Sequence, residues 1–568
     1  MPTPNALTVA ELVGRAVARL GADRAFGVVG SGNFDVTNAL VAAGVPFTAA
    51  RHEGGAATMA DAHARTTGRV AVVTLHQGCG LTNALSGIGE AAKSRTPLLV
   101  LAADVAGPQV RSNFRVDADA LAAAVGAVPE RLHSAASALD DVVRAWRTAH
   151  EQRRTVVFSM PVDLQAARVP DGLPARLDAL VRPPAALPVR PAVTAVEELA
   201  AALRAAQRPV LLAGRGARGH GEVLRALGER SGALLATTAV AKGLFTSDAY
   251  DLGICGGFAS DLTAELVSSA DLVVALGASL TPWTTRHGRL LPDGVRLAQV
   301  DDEVGQLGAG HTGGAHRVDL PVLGDVGETA AAVLAALQVA PRNGPGYRTD
   351  EVRTAVAERS RWADVPVLDE VTADGDGHAR VDPRVLSREL ERRLPRERVV
   401  TTDSGNFLGY PSAYLSVPDE RGFCFTQAFQ CVGLGLATLI GAALASPGRL
   451  PVLGTGDGGF LMGAAELETL VRLRIGAVVV IYDDAAYGAE LHHFGPLGAD
   501  TAQVRFPDAD LAALARGAGA EAHVVRSVAD LHVLDTWLAG PREVPLVLDA
   551  KVADDGGAWW LAEAFRAH

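Results

Sequence analysis

The chain has 568 residues, 48% of them apolar and 20% charged, a composition that builds buried cores and excludes a disordered or fibrous protein. Its net charge of −12 excludes a general polyanion binder, nucleic acid included, and leaves room for one local phosphate site. At ~100–200 residues per domain, the length suggests about three or four domains.

Four cysteines, Cys79, Cys255, Cys424 and Cys431, form no CxxC pair, so reduced thiols in a cytoplasmic protein are expected rather than a disulfide or zinc framework. The N-terminal segment has no basic stretch followed by an apolar run, so no signal peptide is expected. The longest charge-free apolar run, Val432 to Ala445, is too short to span a bilayer and predicts a buried helix.

In chain order, GVVGSGNFD follows the first predicted strand. It lacks the third glycine of GxGxxG, which argues against a nicotinamide-dependent dehydrogenase. VAVVTL (Val70 to Leu75) and PLLVLAA (Pro97 to Ala103) are predicted strands flanking the helical LTNALSGIGEAAKS. A stretch with six prolines between Pro170 and Pro191 then reads as a linker. PVLLAG and DLVVALGA are strands of a second block. A polar stretch from about Pro341 to Arg380 is the second linker, and RVVTTD, LPVLGTGD and AVVVIYDD are strands of a third block. The expected blocks are 1–168, 192–338 and 381–568. Continuous apolar strands separated by helices predict an α/β protein of three doubly wound parallel-sheet domains. The segments starting at Gly68 and Gly448 both run Gly-Arg, strand, Gly-rich turn, helix, strand, so the first and third blocks look like two copies of one topology.

In the third block, Asp457 follows one predicted strand, and Asp483 and Asp484 follow the next. Ligands in such folds bind at the carboxyl ends of the strands, and a βαβ unit sets neighbouring ends side by side. Asp457 and Asp484 are 27 residues apart, the length of one helix and one strand. Gly456, Gly458 and Gly459 permit a sharp turn whose backbone N–H groups suit a phosphate. Two carboxylates beside a phosphate need a cation, and hard oxygen ligands suggest Mg²⁺ or Ca²⁺. Taken singly, each Asp also fits a helix cap or a turn.

With these motifs in view, the chain resembles the thiamine diphosphate-dependent enzymes, in their acetolactate synthase-like branch of 2-oxo acid decarboxylases and carboligases. GDG with a pair of amides or acids about two dozen residues on resembles that superfamily's cofactor signature. RHEGGAATMADAHARTTGR resembles its cofactor-activating segment. RPVLLAGRGARGHGEVLRALGERSGALLATTAVAKG resembles its central domain, and VGLGLATLIGAALASPGRLPVLGTGDGG the approach to its metal site.

The resemblance implies pyrimidine-binding, central and diphosphate-binding domains. It implies that Mg²⁺ bridges the diphosphate to Asp457, Asp484 and the main-chain carbonyl of Ala486; most members carry Asn where this chain has Asp484. It makes Glu53 the glutamate that hydrogen-bonds N1′ of the aminopyrimidine and favours its imino tautomer. It places Val432 under the thiazolium and makes the Gln430 carbonyl the acceptor for the 4′-amino group. It further implies a homodimer or homotetramer with active sites between chains, Glu53 coming from one and the GDG turn from another.

Candidate substrate-facing residues are His76 and Gln77 in LHQGCGLTNAL and Arg115 in SNFRVDADA, where an arginine can hold a carboxylate bidentately. His492 and His493 in AYGAELHHF are candidate proton carriers. The central-domain arginine motif of acetolactate synthases is absent unless Arg286 in GASLTPWTTRHG replaces it. That departure weakens a strict acetolactate assignment and flavin (FAD) binding, although GRGAR, Gly214 to Arg218, could meet a nucleotide. The resemblance thus implies decarboxylation of a 2-oxo acid, with pyruvate and acetolactate as the leading guess. A decarboxylase or acyloin-forming lyase with another substrate is the runner-up, and a non-catalytic cofactor-binding homologue is the rival class.

Overall fold

A computed structural model describes residues 7–184, 187–309, 318–371 and 378–566. It contains three sheets of six strands each. The first holds β1 (Ala25–Gly27), β2 (Phe47–Ala49), β3 (Ala71–Leu75), β4 (Leu98–Asp104), β5 (Val128–Arg131) and β6 (Thr155–Pro161). The second holds β7 (Pro209–Ala213), β8 (Leu234–Thr237), β9 (Asp251–Ile254), β10 (Leu272–Leu276), β11 (Arg296–Asp301) and β12 (Leu320–Leu323). The third holds β13 (Arg398–Thr402), β14 (Phe423–Cys424), β15 (Leu450–Gly456), β16 (Val478–Asp483), β17 (Glu521–Val525) and β18 (Leu546–Lys551). Central strands such as β3, β10 and β15 are buried along their whole length. That is why they read as unbroken apolar runs rather than alternating ones.

The strand orders are β2-β1-β3-β4-β6-β5, β12-β11-β10-β7-β8-β9 and β14-β13-β15-β16-β18-β17, with every named pair parallel. The first and third sheets have the same order once strands are counted from the start of each. The repeated Gly-Arg pattern in the sequence thus corresponds to a repeated topology. Helix Glu53–Thr67 follows β2, and helix Gly435–Ala445 follows β14. These two equivalent helices pack against each other, sharing one core that includes Met59, Ala60, Leu436 and Ile440. Their approach is close: a Cβ at Gly441 would lie 2.2 Å from the Met59 carbonyl.

The helix expected from Val432 starts at Gly435 and is buried through Ala442, while Val432 itself stays 43% exposed in the preceding loop. Of the linkers, the first contains helix Leu173–Asp178 and the second contains helix Asp350–Arg359. The TADGDG portion, 372–377, lies outside the described residues. All four cysteines are free. No helix among the described residues is long and apolar enough to cross a membrane.

Candidate active site

In the third sheet β15 and β16 are neighbours, with Gly456 opposite Tyr482, so Asp457 and Asp484 emerge from adjacent strand ends. The turn between β15 and helix Asp457–Gly463 is too tight for side chains. A Cβ at Gly459 would sit 2.6 Å from the Asp403 carboxylate, and one at Gly456 would sit 2.9 Å from the Phe407 ring. After β16 the backbone turns sharply, with Ala485 left-handed at φ 53°.

The two acids that end β16 have different surroundings. Asp483 is 2.5 Å from the Lys551 ammonium, which also reaches Asp508 at 2.7 Å and Asp549 at 3.2 Å. Asp484 accepts the Ala486 N–H at 3.2 Å and forms no ion pair among the described residues, nor does Asp457. Burial, and then the charge of Asp483, push the Asp457 carboxyl up to about 7. Burial, and then the charge of Asp457, push Asp484 well above the ordinary carboxylate range. Two recessed carboxylates repelling each other, with the nearby lysine committed to Asp483, form a set of hard oxygen donors that suits a divalent cation.

Asp403, just beyond β13, was not singled out from the sequence. It is buried and accepts N–H groups from Ser404 at 2.8 Å and Gly433 at 3.0 Å, and the Thr455 hydroxyl at 3.3 Å. It therefore ties the end of β13, the loop carrying Gln430 and Val432, and the residue before Gly456 to one carboxylate. Burial pushes Asp403 up to about 6, against the pull of these hydrogen bonds. Gln430 is held left-handed at φ 61°. Gln430 and Val432 line a cavity of about 1440 Å³ between the domains, together with Ser404, Gly405, Trp283 and Glu490. The GRGAR segment lines another part of it through Arg215, Gly216 and Arg218. Arg286 donates to the carbonyls of Gly256 at 3.0 Å and Ala259 at 2.9 Å, which fix its guanidinium against the backbone of the central domain.

A second group lies at the strand ends of the first sheet. Glu53 opens its helix, half-buried, and accepts the Asn83 amide at 3.1 Å. The His76 Nδ1 accepts the Gly32 N–H at 3.1 Å, and its ring meets Phe114 edge-on at 5.2 Å. The Gln77 Oε1 is buried without a partner among the described residues. Arg115, next to Phe114, is exposed and has no side-chain partner among the described residues. Glu53, His76, Gln77 and Arg115 thus share one side of the first domain. Gln430, Val432, Gly456 to Gly459, Asp484 and Ala486 share the strand ends of the third.

Glu466 links the two domains. It is 3% exposed and accepts the N–H groups of Arg51 at 3.1 Å and His52 at 3.0 Å, immediately before Glu53. Glu53 itself lines neither the large cavity nor a smaller one of about 460 Å³ that Asp484 and His492 share. The His493 ring lies flat on Phe565, 4.1 Å between centroids. Asp403, Glu466 and Lys551 had little signature in the sequence. Each is a lone charged residue at an element end, the commonest place for a simple cap.

Family models match along the chain in the same order as the three sheets. The thiamine pyrophosphate enzyme N-terminal TPP binding domain matches residues 7–123, the central domain 196–333, and the C-terminal TPP binding domain 403–549. The chain belongs to the thiamine diphosphate-dependent enzymes. Its place is in their acetolactate synthase-like branch. Sulfoacetaldehyde acetyltransferase of Rhodobacter capsulatus is 29% identical over 85% of this chain and 83% of its own. A probable 2-ketoarginine decarboxylase of Pseudomonas aeruginosa is 28% identical over 94% of this chain and 92% of its own. Acetolactate synthase of Bacillus subtilis is 26% identical over 96% and 93%. The residues present suit the family's cofactor: unpaired oxygen donors flank a glycine turn with no room for side chains, and a strained loop stands beside it.

Proposed function

We propose that this enzyme uses thiamine diphosphate and Mg²⁺ to cleave the bond between the carboxylate and the carbonyl of a 2-oxo acid, and passes the acyl unit to a proton or to a second carbonyl. Pyruvate giving acetolactate is the leading pair. The observation that carries this reading is the recessed acid pair Asp457 and Asp484, without an ion pair among the described residues, beside the glycine turn. Asp457, Asp484 and the Ala486 carbonyl hold the metal. Val432 and the Gln430 carbonyl position the cofactor, whose own chemistry is to accept the electron pair released when CO₂ leaves. Glu53 holds a proton at the aminopyrimidine edge. His76, Gln77 and Arg115 face the substrate, with Arg115 orienting its carboxylate. Because Glu53 and the GDG acids share no described cavity within one chain, the site is completed by a second copy. The exposed Phe34, Phe114, Leu461 and Met462 supply apolar surface for it. The units acting here are 1–168, 192–338 and 381–568.

The tie of Arg286 to backbone carbonyls favours a second reading, a decarboxylase or acyloin-forming lyase acting on a different 2-oxo acid, in line with the name of the Pseudomonas relative. CO₂ release from pyruvate with both cofactors, with product analysis, tests the first reading: acetolactate establishes it, and release only from other acids establishes the second. Cofactor binding without release from any acid would leave a non-catalytic homologue. Visible absorbance of the purified protein reads out flavin directly.

The acid pair also gives a pH signature. A carboxyl whose folded pKa is raised holds its proton in the native state, and the stability this gives is lost as pH rises from the unfolded value toward the folded one. For Asp457 that window runs from its ordinary value near 3.8 up to about 7. The metal-free protein is therefore less stable at pH 8 than at pH 6. Mg²⁺ alone raises the thermal midpoint at pH 8 and much less at pH 6, where protons compete. Asp484→Asn shrinks the Mg²⁺ effect. Equal Mg²⁺ shifts at both pH values would refute the two-carboxylate site.

A further inference from the structure

The segment that leads into Glu53 is stitched to one helix of the third domain, Ala465–Arg472, which directly follows the helix opened by Asp457. Arg472 donates to the Ala49 carbonyl at 2.6 Å, and Arg51 donates to Glu468 at 2.5 Å. Glu466 is the third tie and the buried one. Its Oε1 accepts the backbone N–H groups of Arg51 at 3.1 Å and His52 at 3.0 Å, and its Oε2 accepts the Thr469 hydroxyl at 2.7 Å. The carboxylate can enter because residue 55 is glycine: a Cβ there would lie 2.2 Å from Oε1. The Gly54 N–H, on the other side of Glu53, donates to Nδ1 of His52 at 3.0 Å. No lysine or arginine among the described residues forms an ion pair with Glu466, since Arg51 and Arg472 both go to Glu468. Burial pushes the Glu466 carboxyl up, and its three hydrogen bonds pull it back. A serine or asparagine would satisfy a helix start without the cost of burying a carboxylate. What the acid adds is two oxygens that grip donors from two domains at once, with charge-assisted bonds about twice as strong as neutral ones.

We propose that Glu466 is the positioning residue for Glu53: by fixing the N–H groups of the two residues before it, Glu466 sets where the Glu53 carboxylate stands for proton transfer. This rests on the reading of Glu53 given above. Glu53 is then constrained from two sides. Asn83 of the first domain holds its carboxylate at 3.1 Å, and Glu466 of the third domain holds its backbone. The first tie orients the side chain but leaves the helix start free to shift, and a shift of about 1 Å at a reacting group can cost about 100-fold in rate. Glu466 lines neither of the two cavities described above, so its effect on turnover passes through Glu53 and not through contact with substrate.

The test compares the native enzyme with Glu466→Ala, Glu466→Gln and Thr469→Val, in CO₂ release by the fully loaded oligomer and in amide hydrogen exchange of the cofactor-free protein. Glu466→Ala should lose about 10- to 100-fold in kcat with KM for the acid unchanged, and exchange at Arg51 and His52 should speed up. Glu466→Gln should recover most of both losses, because its amide oxygen accepts the same two N–H groups and its NH₂ donates to the Thr469 oxygen. Thr469→Val frees one carboxylate oxygen and should fall between the two. A native kcat in Glu466→Ala, with only a lowered thermal midpoint, overturns the proposal and leaves Glu466 a clamp between domains. A loss confined to KM overturns it as well, and so does native exchange at both amides. If Glu466→Ala does not fold, Thr469→Val decides by the same readouts. If no acid releases CO₂, the decarboxylase reading fails separately. Exchange of the bound cofactor's thiazolium C2 hydrogen for deuterium then replaces kcat, and equal rates in the native enzyme and Glu466→Ala overturn the proposal.

Discussion

Glu53→Gln lowers kcat by about 100-fold or more, the usual scale for loss of a positioned proton-transfer group, while leaving the thermal midpoint nearly unchanged. The two halves of this expectation come from different observations. The carboxylate is half-buried, and its side-chain partner is the Asn83 amide at 3.1 Å. A glutamine oxygen accepts the same hydrogen bond, so the helix start loses little. What glutamine cannot do is hold a proton at an aromatic nitrogen and release it again. The measurement is CO₂ release under saturating cofactor, beside thermal unfolding of the same preparation. A variant with native turnover would remove Glu53 from the mechanism. A variant that unfolds early would show that the loss was structural.

Arg65→Met destabilises the protein by about 3–5 kcal/mol, the cost of leaving buried charges without their partner. Arg65 donates to Asp61 at 2.8 and 2.9 Å, to Glu90 at 2.7 Å and to the Phe425 carbonyl at 2.8 Å. Both carboxylates are fully buried. Methionine fills the volume of the stem but abandons two desolvated acids. The damage also travels. Glu90 accepts the N–H groups of Ala428 at 2.9 Å and Phe429 at 2.6 Å, directly before Gln430. With Arg65 gone, the loop carrying Gln430 and Val432 loses its anchor on the first domain. Chemical denaturation reads the stability loss, and titration with thiamine diphosphate reads the weakened cofactor site. An Arg65→Lys variant restores part of the first and little of the second, because an ammonium cannot reach Asp61, Glu90 and Phe425 in one plane. Native stability in Arg65→Met would show that the two acids are protonated and need no cation.

The sheets were legible because buried parallel strands leave unbroken apolar runs, as in Ala71–Leu75, and because turns and helices between them keep a regular length. The acid pair was legible because a glycine triplet fixes where β15 ends and the next strand fixes where Asp484 must fall. Other parts of the site were not. Asp403 acts by collecting N–H groups from Ser404 and from Gly433, thirty residues beyond Asp403 itself, and no local pattern records such a convergence. Lys551 is a lysine at the end of an apolar strand, and only the fold shows that it serves Asp483 and leaves Asp484 unpaired. His492 and His493 drew attention because imidazole titrates near neutral pH. The structure instead gives His493 a stacking partner in Phe565.

The matching strand orders of the first and third sheets, joined through corresponding helices at Gly441 and Met59, have a consequence for symmetry. Within one chain, Glu53–Thr67 and Gly435–Ala445 are equivalent helices of two like sheets, packed face to face in one core. A true twofold partner added to such a chain yields four like sheets around a shared centre, and clefts between unlike halves then come in equivalent pairs. Gly441 sits where those helices meet, and its missing side chain sets how closely the two like halves of the chain can lie.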